Sequence, residues 1–136
     1  MELDTTCDRR DYVYGRLLAL AEHLESRALY IAGENRDTTA AKLMQRFAEH
    51  PFSTWRSIEL ALVPSSTRLK TMRGAFFSQM QKELDAVMRK FKTIADYNSD
   101  AKLSGEFLLG YHLQRHELRK KPTDDDQNDT PQQDQP

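Results

Sequence analysis

The sequence predicts an all-α protein, a single helical bundle of about five helices with a disordered acidic C-terminal tail. Apolar residues recur at helical spacing almost throughout, and strict alternation is scarce. The joints between these periods are short and carry capping residues, glycine or proline. From Pro122 onward the chain holds only Asp, Gln, Asn, Thr and Pro, with no apolar side chain to offset the entropy of ordering. Three parts follow: a flexible N-terminus over 1–10, a helical bundle over 11–121 and a disordered tail over 122–136.

The first helix is expected from Asp11, as its N-cap, to about Ala32. Tyr14, Leu17, Leu18, Ala21, Leu24, Ala28 and Ile31 form one stripe along it. Gly33 is the expected stop. Gly15 costs about 1 kcal/mol of helix propensity against Ala and marks a close helix contact. A second helix is expected from the Asp37-Thr38-Thr39 cap to His50, with Leu43, Met44, Phe47 and Ala48 on its apolar face. Pro51 breaks it, because proline has no N–H to give a helix interior. A third follows Phe52-Ser53-Thr54, carries Trp55, Ile58, Leu62 and Val63, and ends at Pro64.

Ser65 or Ser66 is expected to cap a long basic helix reaching Phe91. Phe76, Met80, Leu84, Val87 and Phe91 make its buried stripe, and Gly74 is the place where it can kink or split. Residues 96–102 read as a loop. Ser104 is expected to cap a last helix through Lys121, with Phe107, Leu108, Tyr111 and Leu118 in the core.

The formal net charge of −1 hides a segregation. The tail carries five aspartates and no base, residues 1–37 carry 5 basic and 8 acidic groups, and residues 38–121 carry 15 basic and 8 acidic groups. A surface of this kind suits a polyanion, although a solvated helical face has the same composition. Within Arg68–Lys92, seven basic residues face two acidic ones. Arg68, Lys82, Arg89 and Lys90 fall opposite the apolar stripe, so one face can pack while the other meets phosphates. Arg73 falls nearer the apolar side. The nucleic-acid-binding set read from the sequence is Arg68, Lys70, Arg73, Lys82, Arg89, Lys90, Lys92, Arg115 and Arg119. Lys and Arg in this role need only approximate placement, since phosphate contacts carry no base information.

Other chemistries find less support. His112 and His116 stand four apart on a helix, a spacing that can share a metal, but Leu113 occupies the place of the glutamate that follows the first histidine in zinc proteases. The reading taken is one histidine on the packing face and another at the basic end, with no metal and no cofactor. Cys7 is the single cysteine and has no internal disulfide partner, which fits a reducing cytoplasm. Ser104-Gly105 lacks the frame of a nucleophile elbow. There is no phosphate-cradling glycine loop. No apolar run reaches transmembrane length, and the polar, acidic start is unlike a signal peptide. Trp55 is expected in the core rather than stacked on a base. The chain is therefore expected to be non-enzymatic, cytoplasmic and away from membranes.

Two blocks near the ends resemble a known family. They are Asp11-Tyr12-Val13-Tyr14-Gly15-Arg16-Leu17-Leu18-Ala19-Leu20-Ala21-Glu22 and Leu103-Ser104-Gly105-Glu106-Phe107-Leu108-Leu109-Gly110-Tyr111-His112-Leu113-Gln114-Arg115. Together with Arg36–Phe52 and Thr54-Trp55-Arg56-Ser57-Ile58-Glu59, they are similar to the C-terminal region of the large subunit of the type I-C CRISPR Cascade complex. In that family this region is also made separately from an internal start codon and serves as the small subunit. The resemblance covers roughly residues 9–121. It implies a non-catalytic subunit that packs on the Cascade backbone and large subunits, with a second copy of itself among the partners to consider. It also implies contact with DNA phosphates of the guide RNA–target DNA complex, above all the displaced non-target strand, while guide pairing reads the sequence. The alternative is a purely structural helical module that meets only protein.

Overall fold

The computed structural model describes residues 1–120. They form eight helices: α1 (Arg10–Ala32), α2 (Thr39–Lys42), α3 (Met44–Glu49), α4 (Pro51–Ala61), α5 (Val63–Met72), α6 (Gly74–Met88), α7 (Ile94–Asn98) and α8 (Glu106–Lys120). No strand occurs among the described residues, in line with the all-α reading. The acidic tail lies outside them.

The count rises from five to eight because two expected helices divide and one expected loop is helical. Thr38 caps α2, its side-chain oxygen accepting the Ala41 N–H at 3.1 Å, and the chain turns at Leu43 before α3. The long basic helix divides at Arg73, whose φ of −145° and ψ of 65° leave the helical region. Gly74 then opens α6, at the point marked in the sequence as weak. The Lys70 ammonium sits 5.4 Å from the Phe77 ring centroid, and Ser66 shares a cavity with Leu84 and Asp85. α5 therefore folds back antiparallel to α6. Both helices reach α1, and Leu69 and Phe76 are both fully buried.

Prolines open helices here rather than ending them. Pro51 is the first residue of α4 and Pro64 the second of α5, positions where a missing N–H breaks no intrahelical bond. Val63 accordingly starts α5 and is exposed. α7 forms because the Thr93 hydroxyl accepts the Asp96 N–H at 3.0 Å.

α1 is the central element. α2, α4, α5, α6 and α8 all pack on it, and residues 12–21 are buried on every side, not along a single stripe. α8 runs parallel to α1. Arg9 bonds Glu106 at the start, Arg16 bonds Gln114 in the middle, and Glu22 meets Tyr111 and Arg115 farther along. Two glycines allow this approach. A Cβ on Gly15 would stand 2.0 Å from the Phe107 carbonyl oxygen, and one on Gly110 would stand 2.3 Å from the Tyr12 carbonyl oxygen. The close contact expected at Gly15 is thus present, with Gly110 as its counterpart.

Several caps come from distant segments. Asp11 does not cap α1, which starts at Arg10 without a side-chain cap; its Oδ2 accepts the Ser104 N–H at 2.7 Å and steadies the entry to α8. Glu25, buried on α1, accepts the Thr39 N–H at 2.7 Å and so holds the start of α2. Asp100 accepts the Ser53 N–H at 2.9 Å in the first turn of α4, and these Ser53 bonds hold its carboxyl below the usual range. Residues 1–10 also make contacts: the Asp4 N–H donates to the Tyr12 hydroxyl at 2.8 Å, and Cys7 is buried.

Candidate nucleic-acid interface

Arg68 and Lys70 lie exposed on α5, and Lys82 lies exposed on α6. Arg73 sits half-buried at the joint between them. Arg89 caps the C-terminal end of α6, where the helix dipole favours a cation, and Lys90 and Lys92 follow in the connection to α7. α6 has 15 residues, so Arg73 and Arg89 stand roughly 22 Å apart along it. These seven residues are therefore strung along the α5–α6 hairpin and its exit and are not gathered at one end of it.

These cations are open to a partner. No ion pair among the described residues holds Arg68, Lys82, Arg89 or Lys90. Lys92 has a long, exposed contact with Asp8 at 4.0 Å. Such a pair contributes at most about 1 kcal/mol and exchanges readily for a phosphate. Asp85 is the carboxylate beside Lys82, and it is held by the Gln81 amide at 3.1 Å.

Arg115 and Arg119 lie on α8. They line a cavity of about 190 Å³ with Glu22 and His23, where α8 lies against α1. Arg115 stands 3.5 Å from Glu22, and the same carboxylate accepts the Tyr111 hydroxyl at 2.7 Å. Burial, and then the bond to Glu22, push the Tyr111 hydroxyl up to about 12. The structure does not join these two arginines to the α5–α6 cations through a shared cavity.

His112 is exposed, so the expectation of a packing-face histidine is corrected; the Tyr111 ring turns inward in its place. His116 is also exposed, and no group of three His, Cys, Asp or Glu side chains gathers among the described residues. Leu108, expected in the core, is 42% exposed, because Gly110 and Phe107 take the contact with α1. Trp55 is buried, as expected.

Two features lie outside the sequence reading. Arg16 is only 6% exposed, its Nε donates to Gln114 Oε1 at 2.8 Å, and one terminal nitrogen has no partner. Burial lowers its pKa from the ordinary guanidinium value. The second is a groove of about 420 Å³ after α6, lined by Met88, Phe91, Lys92, Thr93, Ile94 and Tyr97. Its sequence sign is Met88-Arg89-Lys90-Phe91-Lys92, apolar and basic residues interleaved, followed by the Thr93-x-x-Asp96 cap.

Compared with known families, residues 1–119 match the family described as CRISPR-associated protein (Cas_Csd1). The chain belongs to this family. It is a CRISPR-associated component, and the match spans every described helix except the last residue of α8. No significant match was found among curated proteins or among solved structures. No helix among the described residues is long and apolar enough to cross a membrane.

Proposed function

We propose that this Cas_Csd1 member is a non-catalytic small subunit of a type I-C CRISPR surveillance complex. It supports assembly on the backbone and large subunits and holds target DNA, above all the displaced strand, by its phosphates. The observation that carries the reading is the series of exposed cations along the α5–α6 hairpin, backed by a buried apolar face on α1. Duplex DNA places a phosphate about every 3.4 Å along each strand, so a length of roughly 22 Å spans several of them. Contacts of this kind carry affinity without sequence choice, which suits a subunit whose guide RNA reads the target.

The test is target-DNA binding by the type I-C effector reconstituted with and without the chain, titrated with salt. Omission is expected to weaken binding and flatten the salt slope. The R68E/R89E/K90E variant is expected to do the same within a folded chain. For every duplex phosphate that the variant leaves unneutralised, the slope falls by about 0.9. Unchanged affinity in that variant, with the chain still in the complex, sinks the assigned surface.

The second reading is a purely structural module that docks on protein alone. Leu60, Val63 and Met72, exposed on α4 and α5, favour it. Crosslinks from the α5–α6 hairpin to protein and none to DNA are the result that would select it.

A further inference from the structure

The groove after α6 differs from three other cavities among the described residues. Cavities of about 190, 210 and 200 Å³ each place at least one carboxylate in their walls: Glu22, then Glu83 and Glu117, then Glu59 and Asp85. The groove of about 420 Å³ has apolar and aromatic walls, the Thr93 hydroxyl, and Lys92 as its one charged residue. Arg89 and Lys90 stand immediately before Phe91 in the chain.

The walls are fixed before any ligand arrives. The Phe91 ring packs 4.9 Å from Tyr14 at 64° and 5.3 Å from Tyr97 at 58°. Tyr97 is braced by Phe52 at 5.3 Å and 87°, and its carbonyl accepts the buried Tyr14 hydroxyl. Ile94, which also lines the groove, is 77% exposed, an apolar side chain with no cover among the described residues. Rigid aromatic surface beside a short basic run is the arrangement that stacks unpaired bases while cations hold the flanking phosphates. An apolar protein side chain would need no basic rim, and an acidic peptide would need no aromatic wall.

We infer that this groove is a base-stacking site for single-stranded nucleic acid: one unpaired base enters it and packs on its aromatic and apolar lining, Phe91 and Ile94 included, and Arg89, Lys90 and Lys92 take the adjoining phosphates. The inference rests on the phosphate-holding function proposed above and adds to it. The subunit then prefers an unpaired strand over a duplex, because a paired base cannot enter the groove. Any base fits, since the walls offer ring faces and no patterned hydrogen-bond donors.

The experiment compares binding of the full chain to a short oligothymidine and to an equally long abasic strand, which keeps the phosphates and lacks the bases. Base removal is expected to lower affinity about five-fold or more at the same salt. The salt slope, set by phosphates, is expected to stay the same. Ile94→Ala and Phe91→Leu are expected to weaken binding of the oligothymidine and to leave the abasic strand unaffected. Ile94→Ala is the cleaner variant, since its side chain is exposed; Phe91→Leu keeps an apolar wall and removes the ring. Equal affinity for the two strands overturns the base site. If charge reversal at Arg68, Arg89 and Lys90 still weakens both strands in that case, the phosphate surface stands without it. If neither strand binds, both readings fall. If Ile94→Ala releases the chain from the assembled complex while both strands bind as before, the groove holds a partner's side chain and the inference is wrong.

Discussion

The Gly15→Ala variant tests the core of the fold most directly. The added methyl would stand 2.0 Å from the Phe107 carbonyl oxygen and 2.7 Å from the Tyr111 nitrogen. Both are backbone atoms of α8, so no side chain can move aside. Reaching ordinary contact near 3.4 Å requires α1 and α8 to part by roughly 1.4 Å at this point. Overpacking of this kind costs about 1–3 kcal/mol, and rigid backbone puts it at the upper end. Parting also stretches the Arg16–Gln114 and Tyr111–Glu22 bonds that bridge the same two helices, each worth about 1 kcal/mol. Alanine returns about 1 kcal/mol through helix propensity. The net expectation is a loss of about 2–4 kcal/mol, a large share of the stability of a domain this size. Urea unfolding followed by helical circular dichroism should show the midpoint falling by about 1–2 M. Gly74→Ala and Gly105→Ala are the controls. Neither new Cβ meets an atom within 4 Å, and neither glycine has a positive φ. Both should be neutral or slightly stabilising. A Gly15→Ala protein as stable as the parent would refute the close approach of α1 and α8.

Three further outcomes are expected. Gln114→Leu should destabilise by about 3 kcal/mol, because it strands the buried Arg16 guanidinium; R16M/Q114L should recover that loss or exceed the parent, as measured by urea midpoints. Glu25→Ala should cost about 2 kcal/mol and loosen α2 first, seen as faster amide exchange at Thr39, since its carboxylate holds that N–H. Stability should fall as pH rises through about 10 to 12: Tyr111 ionises near 10 when unfolded and near 12 when folded, so its contribution is full below 10 and lost across that window. The fall should be smaller in Tyr111→Phe.

The fold was legible where the signal was local. The burial of Leu24 and Ala28, the Gly33 stop with φ of 71° and the buried Phe76, Met80 and Val87 all follow from spacing and one residue's preference, whereas the all-round burial of 12–21 does not. The division at Arg73 was only half legible. Gly74 marks a weak point, but the reversal of α5 on α6 comes with contacts that both helices make to α1, and no local residue pattern encodes those. The prolines are ambiguous in sequence, because the same missing N–H that ends one helix suits the first turn of the next. Distant caps such as Asp100 on Ser53 have no sequence signature, being made across 47 residues. Within the site, the exposure of Lys82 on α6 follows from the wheel, whereas Arg68 lies on a separate helix to which that wheel does not extend. The pairing of Arg115 with Glu22 was not legible, since it depends on how α8 lies against α1. The aromatic groove was hidden because Phe91 reads as the end of a helical stripe when the helix is taken three residues too far.

The parallel pairing of α1 with α8 bears on the order of events during synthesis. Within this chain α1 emerges before the helix it contacts most, with Arg16 waiting for Gln114 across 98 positions. Until α8 emerges, the apolar side of α1 against which it packs has no native cover. High contact order of this kind slows folding and lengthens the exposure of sticky surface. Each of the two glycine positions is thus also a late checkpoint, passed only when almost the whole bundle has been made.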